Sequence, residues 1–168
     1  MPSDTQHDPP FMGQSHPTSG IRPARVEEAA TLSDLAFRSK AYWGYDAAFM
    51  DACRDDLAVS ADEIARAPVY VLEEGGQILG FYKLDGDGEE ATLTDLFLDP
   101  AAIGRGHGRR LWRHAVRTAM RLQFATLVLQ SEPHAEGFYR AMGAARVGES
   151  PSTVFPDRML PLMRLSLR

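Results

Sequence analysis

Three glycines at alternate positions, Gly104, Gly106 and Gly108, stand immediately before a strongly amphipathic helix. Leu111, Trp112, Ala115, Val116, Ala119 and Met120 recur at helical spacing on one face, and Arg109, Arg113, Arg117 and Arg121, four apart, line the other. Before the glycines, Ala91–Leu98 reads as a strand of mixed polar and apolar residues. The unit is therefore strand, glycine loop, helix, and it calls for a central sheet with the loop at the carboxyl end of one strand.

Such a junction is suited to an anion. Glycines let successive backbone N–H groups approach it closely, and the helix N-terminus adds the positive end of its dipole. Arg105, Arg109 and Arg110 add charge-assisted donors. From Ala101 to Arg121 there are six arginines and no acidic residue, although the whole chain carries a net charge of −5. One basic strip on an acidic protein points to a local anion site and away from a nucleic-acid binder, which carries a broad basic surface. A phosphate loop of the Walker type needs Gly-Lys-Ser/Thr, whereas Gly108 is followed by Arg109-Arg110. The dinucleotide fingerprint G-x-G-x-x-G also fails, because the spacing here is G-x-G-x-G. Coenzyme A, which presents a pyrophosphate and requires no metal, fits better. The bland alternative is a turn followed by a solvated arginine face.

The rest of the chain supplies a sheet. Val69–Glu73, Ile78–Leu84 and Ala91–Leu98 read as strands separated by turns at Gly75-Gly76 and Asp85–Gly88, an antiparallel meander. A short strand near Ile21 and two helices, to about Ser39 and over Phe49–Leu57, come before it, and Ser60 with Glu63 forms a capping box for a further helical turn. After the arginine helix follow a strand at Ala125–Leu129, a helix at His134–Met142 ending at Gly143, and strands near Ala145–Val147 and Leu162–Leu167. The order predicts an α/β (α+β) domain. Residues 1–19, rich in Pro, Ser, Gly, Asp and His, read as a disordered tail, with His7 and His16 solvated in it, and 20–168 as one domain. A length of 168 residues suits a single core. With Cys53 as the sole cysteine no internal disulfide forms, which fits a cytoplasmic protein. No apolar run approaches the roughly 18–20 residues of a membrane span, so neither membrane nor nucleic acid is expected as a partner.

Several stretches, in order, resemble the GNAT acetyltransferase superfamily over about Ile21 to Arg168. "IRPARVEEAATLSDLAFRS" is similar to its first strand and helix, and "YVLEEGGQILGFYKL" to its second and third strands. "LTDLFLDPAAIGRGHGRRLW" is similar to its cofactor motif, and "SEPHAEGFYRAMGAARVGE" to the motif that follows. The aromatic "SKAYWGYD" looks like a bacterial subgroup of the family. Two positions depart from the pattern: Ile103 stands where Gln or Arg is usual, with Arg105 as the compensating side chain, and Glu132 stands where Asn often begins the second motif.

The resemblance implies a three-layer domain, a central mixed and mostly antiparallel sheet of 6–7 strands flanked by about four helices. It implies an N-acetyltransferase that moves an acetyl group from acetyl-CoA, as co-substrate and without a metal, to a primary amine of a small molecule by direct attack in a ternary complex. The cofactor would lie in a V-shaped opening beside Phe97, Leu98, Ile103, Gly104, Arg105, Gly106, His107, Gly108, Arg109 and Phe138, with the Leu98 N–H polarising the thioester carbonyl. Tyr139 matches the family's general acid, and Asp95 is the candidate base, with His107 and His134 as rivals. Tyr42, Trp43 and Tyr45 would wall the acceptor pocket, able to receive a cation over their faces. Cys53, on the apolar face of a helix, reads as structural rather than nucleophilic. The alternative is a catalytically degenerate acyl-CoA-binding module of the same fold. An apolar C-terminal strand, Leu160–Leu167, offers itself for pairing across a homodimer.

Overall fold

A computed structural model describes residues 19–168, so nearly all of the expected N-terminal tail, with His7 and His16, lies outside the described residues. Strand β1 (Gly20–Pro23) precedes helices α1 (Ala29–Ala41), α2 (Ala47–Leu57) and α3 (Ala61–Arg66). The meander β2 (Val69–Glu74), β3 (Gln77–Asp87) and β4 (Glu90–Leu98) follows, then α4 (His107–Arg121), β5 (Thr126–Gln130), α5 (Glu136–Ala141), β6 (Ala145–Pro151) and β7 (Met159–Ser166). The seven strands form one sheet in the order β1-β2-β3-β4-β5-β7-β6, antiparallel except for the β4–β5 pair. Among the described residues no helix is long and apolar enough to cross a membrane.

Alternation along β2 and β3 decides the layers. Val69, Val71 and Phe81 face α1 and α2 and pack with Leu32, Leu35, Met50 and Cys53. Leu72, Tyr82 and Leu84 face the other way, onto Leu111, Trp112, Ala115 and Ala119 of α4. Each of the larger α4 side chains contributes roughly 1.5–3 kcal/mol by leaving water. Tyr139 of α5 joins that second core, so helices cover both faces of the sheet. At Gly80 a Cβ would stand 2.7 Å from Leu98 Cδ2 and 2.9 Å from Leu111 Cδ1; the bare backbone there lets α4 and the end of β4 close together.

Local signals account for several boundaries. The Asp46 side chain caps α2 by accepting from the Phe49 N–H at 2.8 Å, and the Ser60–Glu63 capping box opens α3. Two expectations need correction. The Asp85–Gly88 stretch is not a turn throughout: β3 runs on to Asp87, which pairs with Glu90, and the reversal falls at Gly88-Glu89. Gly86 is there because the Phe124 ring lies over it, 2.2 Å from where a Cβ would be. The C-terminal strand cannot pair across a dimer, because β7 lies inside the sheet between β5 and β6 with both edges used; among the described residues the outer strands of the sheet are β1 and β6.

Candidate active site

The one parallel junction is short. β4 and β5 pair only at Glu90–Thr126, Ala91–Leu127 and Thr92–Val128, after which β4 continues to Leu98 without β5 beside it. A bulge occurs where the strands part: Lys83 pairs with Asp95 and Leu84 with Leu93, which leaves Thr94 as the extra residue. Leu93, Leu96 and Leu98 consequently all pack toward α4, and Phe97 toward α1 and α2. The Asp99 N–H donates to Leu79 O at 2.8 Å. By antiparallel alternation Phe97 also turns its peptide groups to β3, and the N–H and C=O of Leu96 and Leu98 face the opposite side, which β5 has vacated.

That side is a cavity of about 820 Å³. Its wall includes Asp95 to Leu98 of β4, Ile103, Gly104, Gly106, Gly108 and Arg109 of the glycine loop, and Phe138 and Tyr139 of α5. Gly104 and Gly106 have φ of 84° and 82°, and neither has any atom within 4 Å of a built Cβ, so open space lies before them. Gly106 caps α4, whose first N–H groups have no partner within the helix. Arg105 and Arg109 make no hydrogen bond or ion pair to described residues, whereas Arg110 is held by Glu74 at 3.1 Å. The nearby carboxylate is turned away: Asp99 accepts from the Ala101 N–H at 3.0 Å and from Arg38 at 2.8 Å, and Arg38 holds it below its usual range. Open glycines, unpaired N–H groups and free guanidinium charge with no competing anion fit a diphosphate.

Tyr139 also lines the cavity, 7% exposed, its ring edge-on to Trp112 and Phe138. Its hydroxyl has no hydrogen-bond partner among the described residues, yet it is not among sealed polar atoms, so it opens onto the cavity. Burial pushes its phenol above the usual tyrosine value, so it stays protonated through neutral pH. Asp95 also lines the cavity, 3.4 Å from Lys83 Nζ, which Glu63 shares at 2.8 Å. Burial raises the Asp95 carboxyl and outweighs the lowering by Lys83.

Residues expected at the site are not all on its wall. Trp43 lines the cavity, but Tyr42 is 52% exposed outside it and Arg105 points to solvent. His107 is buried with its Nδ1 3.4 Å from Arg110. Tyr45 stacks on Phe49 behind the wall, with ring centroids 4.1 Å apart. Cys53, 5% exposed, reaches the wall, with burial raising its thiol.

Sequence reasoning missed the most connected group. Glu132 takes Lys40 Nζ at 2.6 Å, the Tyr45 hydroxyl, and His134 Nδ1 at 2.9 Å, with Arg158 at 3.6 Å. Burial would raise its carboxyl, but Lys40, Tyr45 and His134 hold it below the usual range. Burial and the bond to Glu132 push the Tyr45 phenol to about 12. His134, a rival for the base, stacks on Trp43 at 4.9 Å. Lys40 sits within the aromatic segment noted in the sequence, but Arg158 lies in a stretch with no periodic signal, between β6 and β7.

Comparison with known proteins agrees with this geometry. The Acetyltransferase (GNAT) family matches residues 32–144. Two relatives named peptidyl-lysine N-acetyltransferase YjaB align over 140 residues: that of Salmonella typhimurium is 34% identical, covering 77% of this chain and 86% of the relative, and that of Escherichia coli is 36% identical, covering 77% and 84%. The crystal structure of the PaiA N-acetyltransferase from Thermoplasma acidophilum, in complex with coenzyme A, superposes with a TM-score of 0.73 at 17% identity, over 89% of this chain and 99% of that one. The chain belongs to the GNAT family of acetyltransferases, acetyl-CoA-dependent acyltransferases.

Proposed function

We propose that the protein transfers an acetyl group from acetyl-CoA to the primary amine of a small molecule, with no covalent enzyme intermediate. The observation that carries this reading is the free backbone edge at Leu96 and Leu98, facing a cavity that the glycine loop and an unpaired tyrosine hydroxyl both line. The N–H groups at the start of α4 and the Arg109 guanidinium would hold the diphosphate, and the peptide groups of Leu96 and Leu98 the amide-bearing arm. Bound acetyl-CoA supplies an activated thioester. The Leu98 N–H is placed as a donor to a carbonyl oxygen in the cleft. Tyr139, a neutral phenol kept protonated by burial, is the acid that returns a proton to a departing thiolate. Asp95, with its carboxyl raised, is the base that takes the proton of the amine, directly or through water.

The test is Tyr139→Phe. Turnover should fall at least about tenfold while coenzyme A affinity is unchanged; equal turnover removes Tyr139 from the acid role. A second reading, in which the acceptor is a lysine side chain of a protein, is supported by the names of the two YjaB relatives. Assay of a lysine peptide beside free amines separates the two.

A further inference from the structure

Arg158 is held in place but underused. Its guanidinium lies over the Tyr45 and Phe49 rings, 5.2 Å from each centroid. Nη2 donates to the Tyr45 hydroxyl at 2.6 Å, and the side chain is 24% exposed. Among the described residues Nε and Nη1 have no hydrogen-bond partner and Nη2 makes one hydrogen bond with its two N–H groups, so the edge that joins its second N–H to Nε or Nη1 remains available on the cavity wall. Lys40 lines the same wall and spends one bond, to Glu132, of the three its ammonium can make. Two fixed cations thus share one carboxylate, Glu132, on the cavity wall. Asp95 and Asp56 line the same cavity. The cavity therefore offers both signs of charge to whatever enters beside the cofactor.

We infer that the acceptor is an amino-carboxylate, a small molecule with a carboxylate as well as the reacting amine, and that Arg158, seconded by Lys40, binds that carboxylate. The inference rests on the acetyltransferase reading above. The missing negative charge at Lys40 and Arg158 is what a carboxylate supplies, and a guanidinium edge pre-set on two aromatic rings recognises one bidentately with little further ordering. A plain alkylamine would leave the single carboxylate of Glu132 against the two positive charges of this pair.

The test pairs each of glycine, β-alanine, 4-aminobutyrate and lysine with its own carboxamide. A lysine peptide with blocked termini and no acidic residue serves as the protein-like arm. Two readouts are taken on wild type, Arg158→Gln and Arg158→Lys: kcat/KM for acetylation, and calorimetric affinity of the protein saturated with coenzyme A. At least one acid should exceed its amide by about tenfold or more in both readouts, the range of a charge-assisted hydrogen bond. Arg158→Gln should erase that ratio by bringing the acid's values down to those of its amide, and Arg158→Lys should retain part of it. Acids and amides handled alike by the wild type, an acid preference that survives Arg158→Gln, or best use of the blocked peptide would each overturn the inference. Failure of the wild type to bind coenzyme A at all would instead defeat the acetyltransferase reading beneath it.

Discussion

Replacing Glu132 by glutamine keeps the shape of the side chain and removes the charge on which Lys40 and Arg158 depend. The amide also presents a donor where those residues already donate. Removing one partner of a buried ion pair costs about 3–5 kcal/mol. Here the Glu132, Lys40 and Arg158 side chains are 14%, 16% and 24% exposed, so water screens part of the loss. The expected cost is therefore about 2–3 kcal/mol at pH 7, or a fall in Tm of roughly 4–12 °C for a domain of this size. The sign of the pH dependence follows from the direction of the shift. Glu132 is held below its usual range when folded, so its contribution is complete above the unfolded value of about 4.3 and is lost as pH falls through the folded value. Urea denaturation of wild type and Glu132→Gln at a series of pH values from about 7 down to well below the unfolded value of about 4.3 measures both. The gap should be widest at neutral pH and narrow toward the acid end. A gap under about 0.5 kcal/mol at pH 7, or one that does not change with pH, would refute the reasoning.

Two further outcomes are expected. In Gly108→Glu the Cβ would meet Leu98 and Phe138 at 3.5 Å, ordinary contact, so the protein should fold, but the added carboxylate at the start of α4 should abolish coenzyme A binding; calorimetry reads this directly. If Asp95 is the base, the acid limb of kcat/KM lies above the usual carboxylate range, because burial raises its carboxyl, with activity lost below the limb; Asp95→Asn should remove that limb and lower the plateau by about 10²-fold or more.

Residues whose role is declared by near neighbours were legible without coordinates. The amphipathic α4 and the three strands of the meander depend on spacings of two to four residues, and they lie where those spacings put them, apart from the longer run of β3. Gly86 was misread because a glycine that admits a ring from Phe124, far along the chain, looks like a turn glycine. Thr94 shifts the alternation of β4 by one, so Leu93 and Leu96 face the same side, and no strict period of two reveals that. Glu132 registered only as a departure from the family pattern. Its partners come from 92, 87 and 2 residues away, at Lys40, Tyr45 and His134, and no local pattern connects them. Arg158 went unnoticed for the same reason.

The shortness of the β4–β5 junction has a mechanical side. With three rungs joining them, β1–β4 and β5–β7–β6 resemble two plates on a common hinge. Above that hinge, Glu132 and Arg158 from one plate meet Lys40 and Tyr45 from the helices backing the other. A cross-tie of side chains, not of backbone, thus spans the mouth. Its members sit on loops and at a helix end, and of them Tyr45 alone packs against an apolar core. On the proposed acceptor reading, exchanging them would change what the cleft admits at a cost in stability but with the sheet and both cores in place, so a chain of this design could drift in its choice of acceptor without refounding its fold.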